Sequence, residues 1–254
     1  MAAVAQFSFS PTGRCPICET PATFIADHPY LRDSLKCTGC GSIPRQRALF
    51  FVLNEAFPHW RHLAIHEAAA SPWSALCQKF RAECPRYVES QFIPDAERGS
   101  VLPRREGAPA AGWRNEDLER QTFPDMAFDV VITQDVFEHI FHPDLAMAEI
   151  ARTLRPGGAH IATVPLTQLN RGTRRRASLV NGTAVHHLPP EFHGNPMSSE
   201  GSLVTIDWGH DIGQYLAAKS GLGVAIVRLD MIDLGMRADL IDVLICRKDT
   251  TPNI

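Results

Sequence analysis

Four of the seven cysteines stand in two C-x-x-C pairs, Cys15-Pro16-Ile17-Cys18 and Cys37-Thr38-Gly39-Cys40. Each pair is a tight turn that can aim two sulfurs at one point. Two such turns supply the four thiolates that a tetrahedral metal needs. Gly39 and Gly41 permit the tight or left-handed backbone of such a knuckle. The reading is a structural Zn2+ site made by Cys15, Cys18, Cys37 and Cys40. Sulfur ligands alone also admit a rubredoxin-type iron, and two disulfides are a further alternative. Residues 22–35, between the pairs, are too few to build a core, so metal binding would supply much of their folding energy. Arg45 and Arg47 follow as a solvated collar around an anionic centre, or as a phosphate grip. Cys77, Cys84 and Cys246 are isolated and read as small buried hydrophobes.

A second set of chemically able residues lies downstream. Gln134-Asp135 and Glu138-His139 follow the apolar run Phe128–Thr133. A histidine there can act as a general base near neutral pH or can position a substrate. The segment from His186 to Pro196 carries three histidines, of which His193 is the first candidate for a base or a positioning group. His187, Asp207, His210 and Asp211 are weaker candidates. Arg171, Arg174, Arg175 and Arg176 could grip an oxyanion, but no aromatic residues interleave with them, so they read as solvated surface.

The elements that must position these groups follow from periodicity. Phe128–Thr133 is apolar on both faces, as a buried parallel strand is. Pro143 can open a helix, Leu145, Met147, Ile150 and Leu154 continue it, and Pro156-Gly157-Gly158 ends it. Ala159–Val164 is the next strand. Upstream, Ala48–Phe57 reads as a helix, His62–Glu67 as a strand, Trp73–Glu83 as a helix and Arg86–Ser90 as a strand. This alternation predicts βαβ units and a parallel sheet. Acids at the strand ends, Glu67 and Glu89, can accept hydrogen bonds from a nucleotide-like ligand. Asn115–Leu118 is a further site of this kind or a polar turn. Residues 93–113 read as a loop covering a site. Asp211–Ser220 reads as a helix, and Val224–Leu229 and Leu240–Cys246 as the last strands.

The segment FDVVITQDVFEHIFHPDLAMAEIARTLRPGGAHIATVP resembles the class I S-adenosylmethionine-dependent methyltransferases. The likeness covers residues 60–165 well and the tail more loosely. It implies a Rossmann-like α/β fold with a seven-stranded sheet, and S-adenosyl-L-methionine as cofactor. It implies that Glu67 matches the acid of the cofactor loop, with Ala68 and Ala70 where glycines are usual. Glu89 then matches the ribose-binding acid and Asp117-Leu118 the adenine-contacting pair. Gln134 and Asp135 face the methionine end or the acceptor, and Asp135 and His193 become the catalytic candidates. The cysteine block resembles a zinc-bearing N-terminal extension of some bacterial members.

The organisation expected is a four-cysteine module over residues 1–44 and a methyltransferase-like domain over 45–254, with 93–113 and 165–210 on the substrate side. The formal charge of -3 excludes bulk attraction to nucleic acid or anionic membrane. No run of 18 apolar residues exists, so no membrane helix is expected. C-x-x-C pairs suit a metal in a reducing cytosol, which predicts a cytoplasmic protein. The function expected is methyl transfer to a small-molecule acceptor, with nucleic acid or protein as weaker acceptors. The alternatives are a non-catalytic binding or assembly protein on the same scaffold, and other chemistry with the same cofactor.

Overall fold

The computed structural model describes residues 7–102, 112–195 and 198–250. In chain order, β1 (Thr12–Arg14), β2 (Pro21–Ile25), α1 (Leu31–Ser34) and β3 (Lys36–Cys37) form the cysteine module. Then come α2 (Pro44–Ala56), β4 (Ile65–Ala68), α3 (Ala75–Glu83), β5 (Tyr87–Gln91), β6 (Arg114–Asn115), β7 (Phe128–Gln134) and α4 (Pro143–Thr153). The next elements are β8 (Leu154–Thr163), β9 (Arg174–Arg175), β10 (Ala177–Val180), β11 (Thr183–His186), β12 (Phe192–Asn195), β13 (Ser198–Leu203) and β14 (Ile206–Asp207). The chain closes with α5 (Ile212–Ser220), β15 (Gly223–Val227) and β16 (Val243–Arg247).

Seven strands make the main sheet in the order β6-β5-β4-β7-β8-β16-β15. β5, β4, β7 and β8 are mutually parallel, and β16 lies antiparallel between β8 and β15. Both faces are covered. Ile65, Val130, Ile132, Ile161, Val243 and Ile245 pack with α2 and the cysteine module. Val131, Ala162, Leu244 and Cys246 pack with α4 and α5. Adjacent residues of β7 thus enter opposite cores, which is why its sequence is apolar throughout.

Local chemistry sets the helix ends. Pro143 begins α4, and Pro44 begins α2, where a missing N–H costs nothing. Ser74 caps α3 by accepting the Cys77 amide at 3.1 Å. The Pro-Gly-Gly segment does not form a separate turn after α4. The helix stops at Thr153, β8 begins at Leu154, and residues 155–158 bulge between the Phe128–Leu154 and Val130–Ala159 pairs. Gly158 is required there, because a Cβ would stand 2.6 Å from the Asp129 carbonyl oxygen.

The cysteine module shares one core with the sheet: Cys15, Ile17, Phe24, Leu35 and Cys37 join Leu49, Phe50 and Leu53 of α2. Between 174 and 207 the described residues form strand pairs. β10 pairs with β11, β12 with β13, and β9 with β14. Composition hid these strands, because most of their residues are exposed and show no apolar alternation. Thr205 anchors this layer to the segment that follows β7. Its backbone N–H donates to the Glu138 carbonyl at 2.7 Å, and its buried hydroxyl donates to the Ile140 carbonyl at 2.7 Å. Thr205→Val should therefore lower stability by about 1–2 kcal/mol, read as a lower urea midpoint at unchanged slope.

Candidate functional site

The four cysteines converge. One sulfur from each lies within 4.8 Å of the others. The Cys15–Cys40 and Cys18–Cys37 sulfur pairs are 3.8 and 3.9 Å apart. Sulfurs tetrahedrally placed at about 2.3 Å from zinc are separated by about 3.8 Å, whereas a disulfide is about 2.05 Å long. The donor set and its spacing fit a closed tetrahedral metal. Gly41 is left-handed at φ 74°, and a Cβ on Gly39 would crowd the Cys18 sulfur at 3.3 Å. Arg47 lies fully buried beneath this cluster. It donates to the carbonyls of Ser42, Leu35 and Gly235 and stacks over Phe24. Burial pulls its pKa down to about 10, against the opposing pull of the four sulfurs. Arg47 is thus a buried brace of the module, not the solvated collar expected from sequence.

Because β4, β5 and β7 are parallel, their carboxyl ends share one edge. Glu67 of β4 is fully buried there. It accepts from the Tyr87 hydroxyl and from the Gln134 amide at 2.7 Å. Burial raises its pKa from 4.5 to about 7, against those two donors. Glu67 pairs in register with Glu89 of β5. Glu89 is also buried, and its oxygens accept from Arg81 Nε and Nη2 and from the Cys77 thiol at 2.7–2.8 Å. A carboxylate offers about four acceptor sites, so these three contacts leave room for one further donor. The turn after β4 is left-handed at Ala69, φ 55°, between Ala68 and Ala70. Gln91 holds the turn by donating to the Ala70 carbonyl at 2.6 Å. Ala68 and Ala70 are buried and only Ala69 is exposed, and alanine pays about 1–2 kcal/mol at such a φ. The Asp117 carboxylate accepts the Glu119 amide and its backbone carbonyl accepts the Arg120 amide, while Leu118 packs into the core. Residues 103–111 of the 93–113 loop lie outside the described residues.

Asp135, just beyond β7, is left-handed at φ 53°. Its carboxylate accepts from Thr163 at 3.0 Å and Arg32 at 2.6 Å, and pairs with Arg45 at 3.0 Å. Arg32 and Arg45 reach it from α1 and α2, so the cysteine module is clamped to the chemical edge of the sheet. Arg32 carried no signal in sequence, because its partner lies 103 positions away.

Beside this clamp stands Glu138, whose side chain is 2% exposed. Neither of its carboxylate oxygens has a hydrogen-bond partner among the described residues. Burial, reinforced by Asp135, raises its pKa well above the ordinary carboxylate range. His139 Nδ1 lies 2.9 Å from the Leu203 carbonyl. A carbonyl only accepts, so Nδ1 bears the proton and Nε2 is left with a lone pair. Burial, the largest influence, depresses the pKa of His139. β12 brings His193 edge-on to His139, with ring centroids 5.1 Å apart. Of the histidines and acids expected between 186 and 211, only His193 joins this cluster. Asp207 binds Arg174 and Arg176, Asp211 accepts from Thr173, His210 contacts the Arg171 carbonyl and His187 contacts Ser178. Arg175 donates to the Phe141 carbonyl. Three of the four arginines in the patch are therefore engaged in holding the layer together.

The strand order, with a single antiparallel strand inserted next to the edge, identifies the architecture. The chain has the class I methyltransferase fold. Residues 95–162 match the family described as a methyltransferase domain. A solved S-adenosylmethionine-dependent methyltransferase from Mesorhizobium loti is 11% identical, with a TM-score of 0.51 over 79% of this chain and 98% of that one. The 1,6-didemethyltoxoflavin-N1-methyltransferase of Burkholderia thailandensis, solved with its acceptor and S-adenosylhomocysteine, is 14% identical, with a TM-score of 0.52 over 81% and 78%. An amino pentose methyltransferase from Micromonospora echinaspora, solved with S-adenosylmethionine bound, is 13% identical, with a TM-score of 0.51 over 80% and 91%. The recognised resemblance thus agrees with the family match and with the fold. No helix among the described residues is long and apolar enough to cross a membrane.

The pH dependence of Glu67 has a definite sign. Its pKa is higher folded than unfolded, so folding takes up a proton between about 4.5 and 7. The stability this contributes is complete below about 4.5 and is lost as pH rises through about 7. Urea unfolding of the chain and of Glu67→Gln at pH 5 and 8 checks this. The stability of the parent relative to the variant should fall by roughly 2–3 kcal/mol across that interval; a pH-independent difference would contradict it.

Proposed function

We propose that this chain is an S-adenosylmethionine-dependent methyltransferase acting on a small-molecule acceptor, with a structural Zn2+ held by Cys15, Cys18, Cys37 and Cys40. The observation that carries the reading is the shared carboxyl edge of β4, β5 and β7. There a tight, small-residue turn at 68–70 lies between two buried acids, beside a histidine and carboxylate cluster. The residues present suit the cofactor. The turn at 68–70, with no side chain larger than a methyl, would take it, Glu89 keeps one acceptor site for a ribose hydroxyl, Asp117 and Leu118 would flank the adenine, and Gln134 would face the methionine end. Bound there, S-adenosylmethionine supplies a methyl group already activated by its sulfonium.

The chain's own task is alignment and, for a protonated acceptor, removal of a proton. His193 is the base or positioning group of this reading, because it is half-exposed and borders the buried Glu138. Asp135 is a positioning residue, since its oxygens are already taken by Arg32, Arg45 and Thr163. A small acceptor is in keeping with the toxoflavin precursor and the amino pentose named for two structures of this fold. The thiol-rich module suits a reducing, cytoplasmic setting.

A second reading, a non-catalytic binding protein on this scaffold, is favoured by one pair of observations. Ala69 occupies a left-handed position, and Arg81 engages Glu89. Calorimetric titration of the metal-loaded chain with S-adenosylmethionine and S-adenosylhomocysteine separates the two. Methyl transfer predicts binding of both ligands in the micromolar range, weakened at least about tenfold by Glu89→Ala, which removes the ribose acceptor and is equivalent to about 1.4 kcal/mol. Absence of binding up to millimolar ligand by correctly folded protein would sink the enzyme reading.

A further inference from the structure

We infer that Glu138, His139 and His193 form a second metal site, for a divalent first-row transition ion, at the acceptor side of the sheet. One donor atom from each residue lies within 4.8 Å of the other two. His139 Nε2 and His193 Nδ1 stand 3.7 and 3.8 Å from the same Glu138 oxygen. Two imidazoles and one carboxylate are a donor set for Zn2+, Fe2+ or Mn2+. Ligand atoms at about 2.0–2.2 Å from an ion stand about 3–3.5 Å apart, so each histidine nitrogen closes on the Glu138 oxygen by a side-chain adjustment of less than about 1 Å.

Three further observations point to a ligand rather than to a chance cluster. Glu138 is almost wholly buried, yet both of its oxygens lack a hydrogen bond among the described residues. A buried carboxylate left that way is costly, and a coordinated cation offsets the cost. His139 donates its Nδ1–H to the Leu203 carbonyl, the outer-shell contact that fixes a metal-binding tautomer and leaves Nε2 free. His193 is held by the β12–β13 pairing, and its Nε2 stands 3.6 Å from Glu191. The neighbouring charges do not supply the missing cation. Arg32 and Arg45 are paired with Asp135 and Asp33, and Arg176 is paired with Asp207 and Glu191.

Three protein ligands leave at least one coordination position open. That separates this site from the closed four-sulfur site and gives an oxygen or nitrogen donor of the acceptor a place to bind. The use of the ion toward an acceptor rests on the methyl-transfer reading, with His193 then positioning the acceptor through the ion rather than acting as a base, whereas ion binding does not rest on it.

The test is therefore run without cofactor or acceptor. The chain of 254 residues is stripped of metal and titrated with Zn2+, and in parallel with Co2+. The four-sulfur site reports through intense near-ultraviolet thiolate-to-cobalt absorption, and the nitrogen–oxygen site through weak visible bands alone. Two equivalents are expected per chain. Glu138→Gln and His193→Asn should each weaken the second equivalent more than tenfold while leaving the thiolate absorption intact. His193 is partly exposed, so its variant retains the test if the Glu138 variant fails to fold. A parent protein that stops at one equivalent, or a second equivalent unaffected by His193→Asn, overturns the proposal. Failure of the cofactor titration with a second equivalent still present would overturn the methyltransferase reading alone.

Discussion

The parallel pairing of β4 with β7 is the constraint on which the chemistry depends. It sets Ala68 opposite Thr133, so the turn after β4 and the residues after β7 leave the sheet side by side. Gln134 can then donate to Glu67 across the strand pair. The same register carries Asp135 and Glu138 to the edge where the turn at 68–70 lies. A one-residue slip would reverse every inward and outward side chain of β7 and would place apolar groups at that edge. The slip is prevented from both sides, because Val130 and Ile132 fill one core while Val131 fills the other.

On this frame the cysteine module is an arm of the site rather than an appendage. Arg47 of α2 ties the module to α2 and to Gly235 from below, and Arg32 reaches from the module to Asp135, where Arg45 of α2 joins it. A metal held by the four cysteines would order residues 15–40 and with them Arg32 at the edge of the sheet, which would couple folding of the module to the shape of the site. The layer from β9 to β14 closes the other side. Thr205 and the His139–Leu203 contact fasten it to the segment after β7, which is how a histidine 55 positions downstream comes to face Glu138.

Much of this was legible in the sequence. The run FDVVIT is apolar on both faces and could only be a central strand, and two C-x-x-C pairs have few uses in a chain of this kind. The helices α2, α3, α4 and α5 follow from capping and periodicity to within a few residues. What was not legible depended on long-range contact. Arg81 meets Glu89 only because α3 folds back over β5. The left-handed residue, Ala69, has no marker in sequence, since alanine is an unfavourable choice there. β10 and β11 lack alternation because consecutive residues, and so both faces, meet solvent. Glu138 read as one half of a familiar Glu-His pair; its isolation from hydrogen-bond donors is a property of the packed protein alone.

The central claim is that the shared edge of β4, β5 and β7 receives the cofactor. A crystal structure grown with saturating S-adenosylhomocysteine tests it most directly. The account predicts the adenosine over the turn at 68–70, with a ribose hydroxyl on Glu89 and the amino-acid tail toward Gln134. A ligand bound elsewhere, or an edge left closed by the Glu89–Arg81 pair in the presence of saturating ligand, would contradict it.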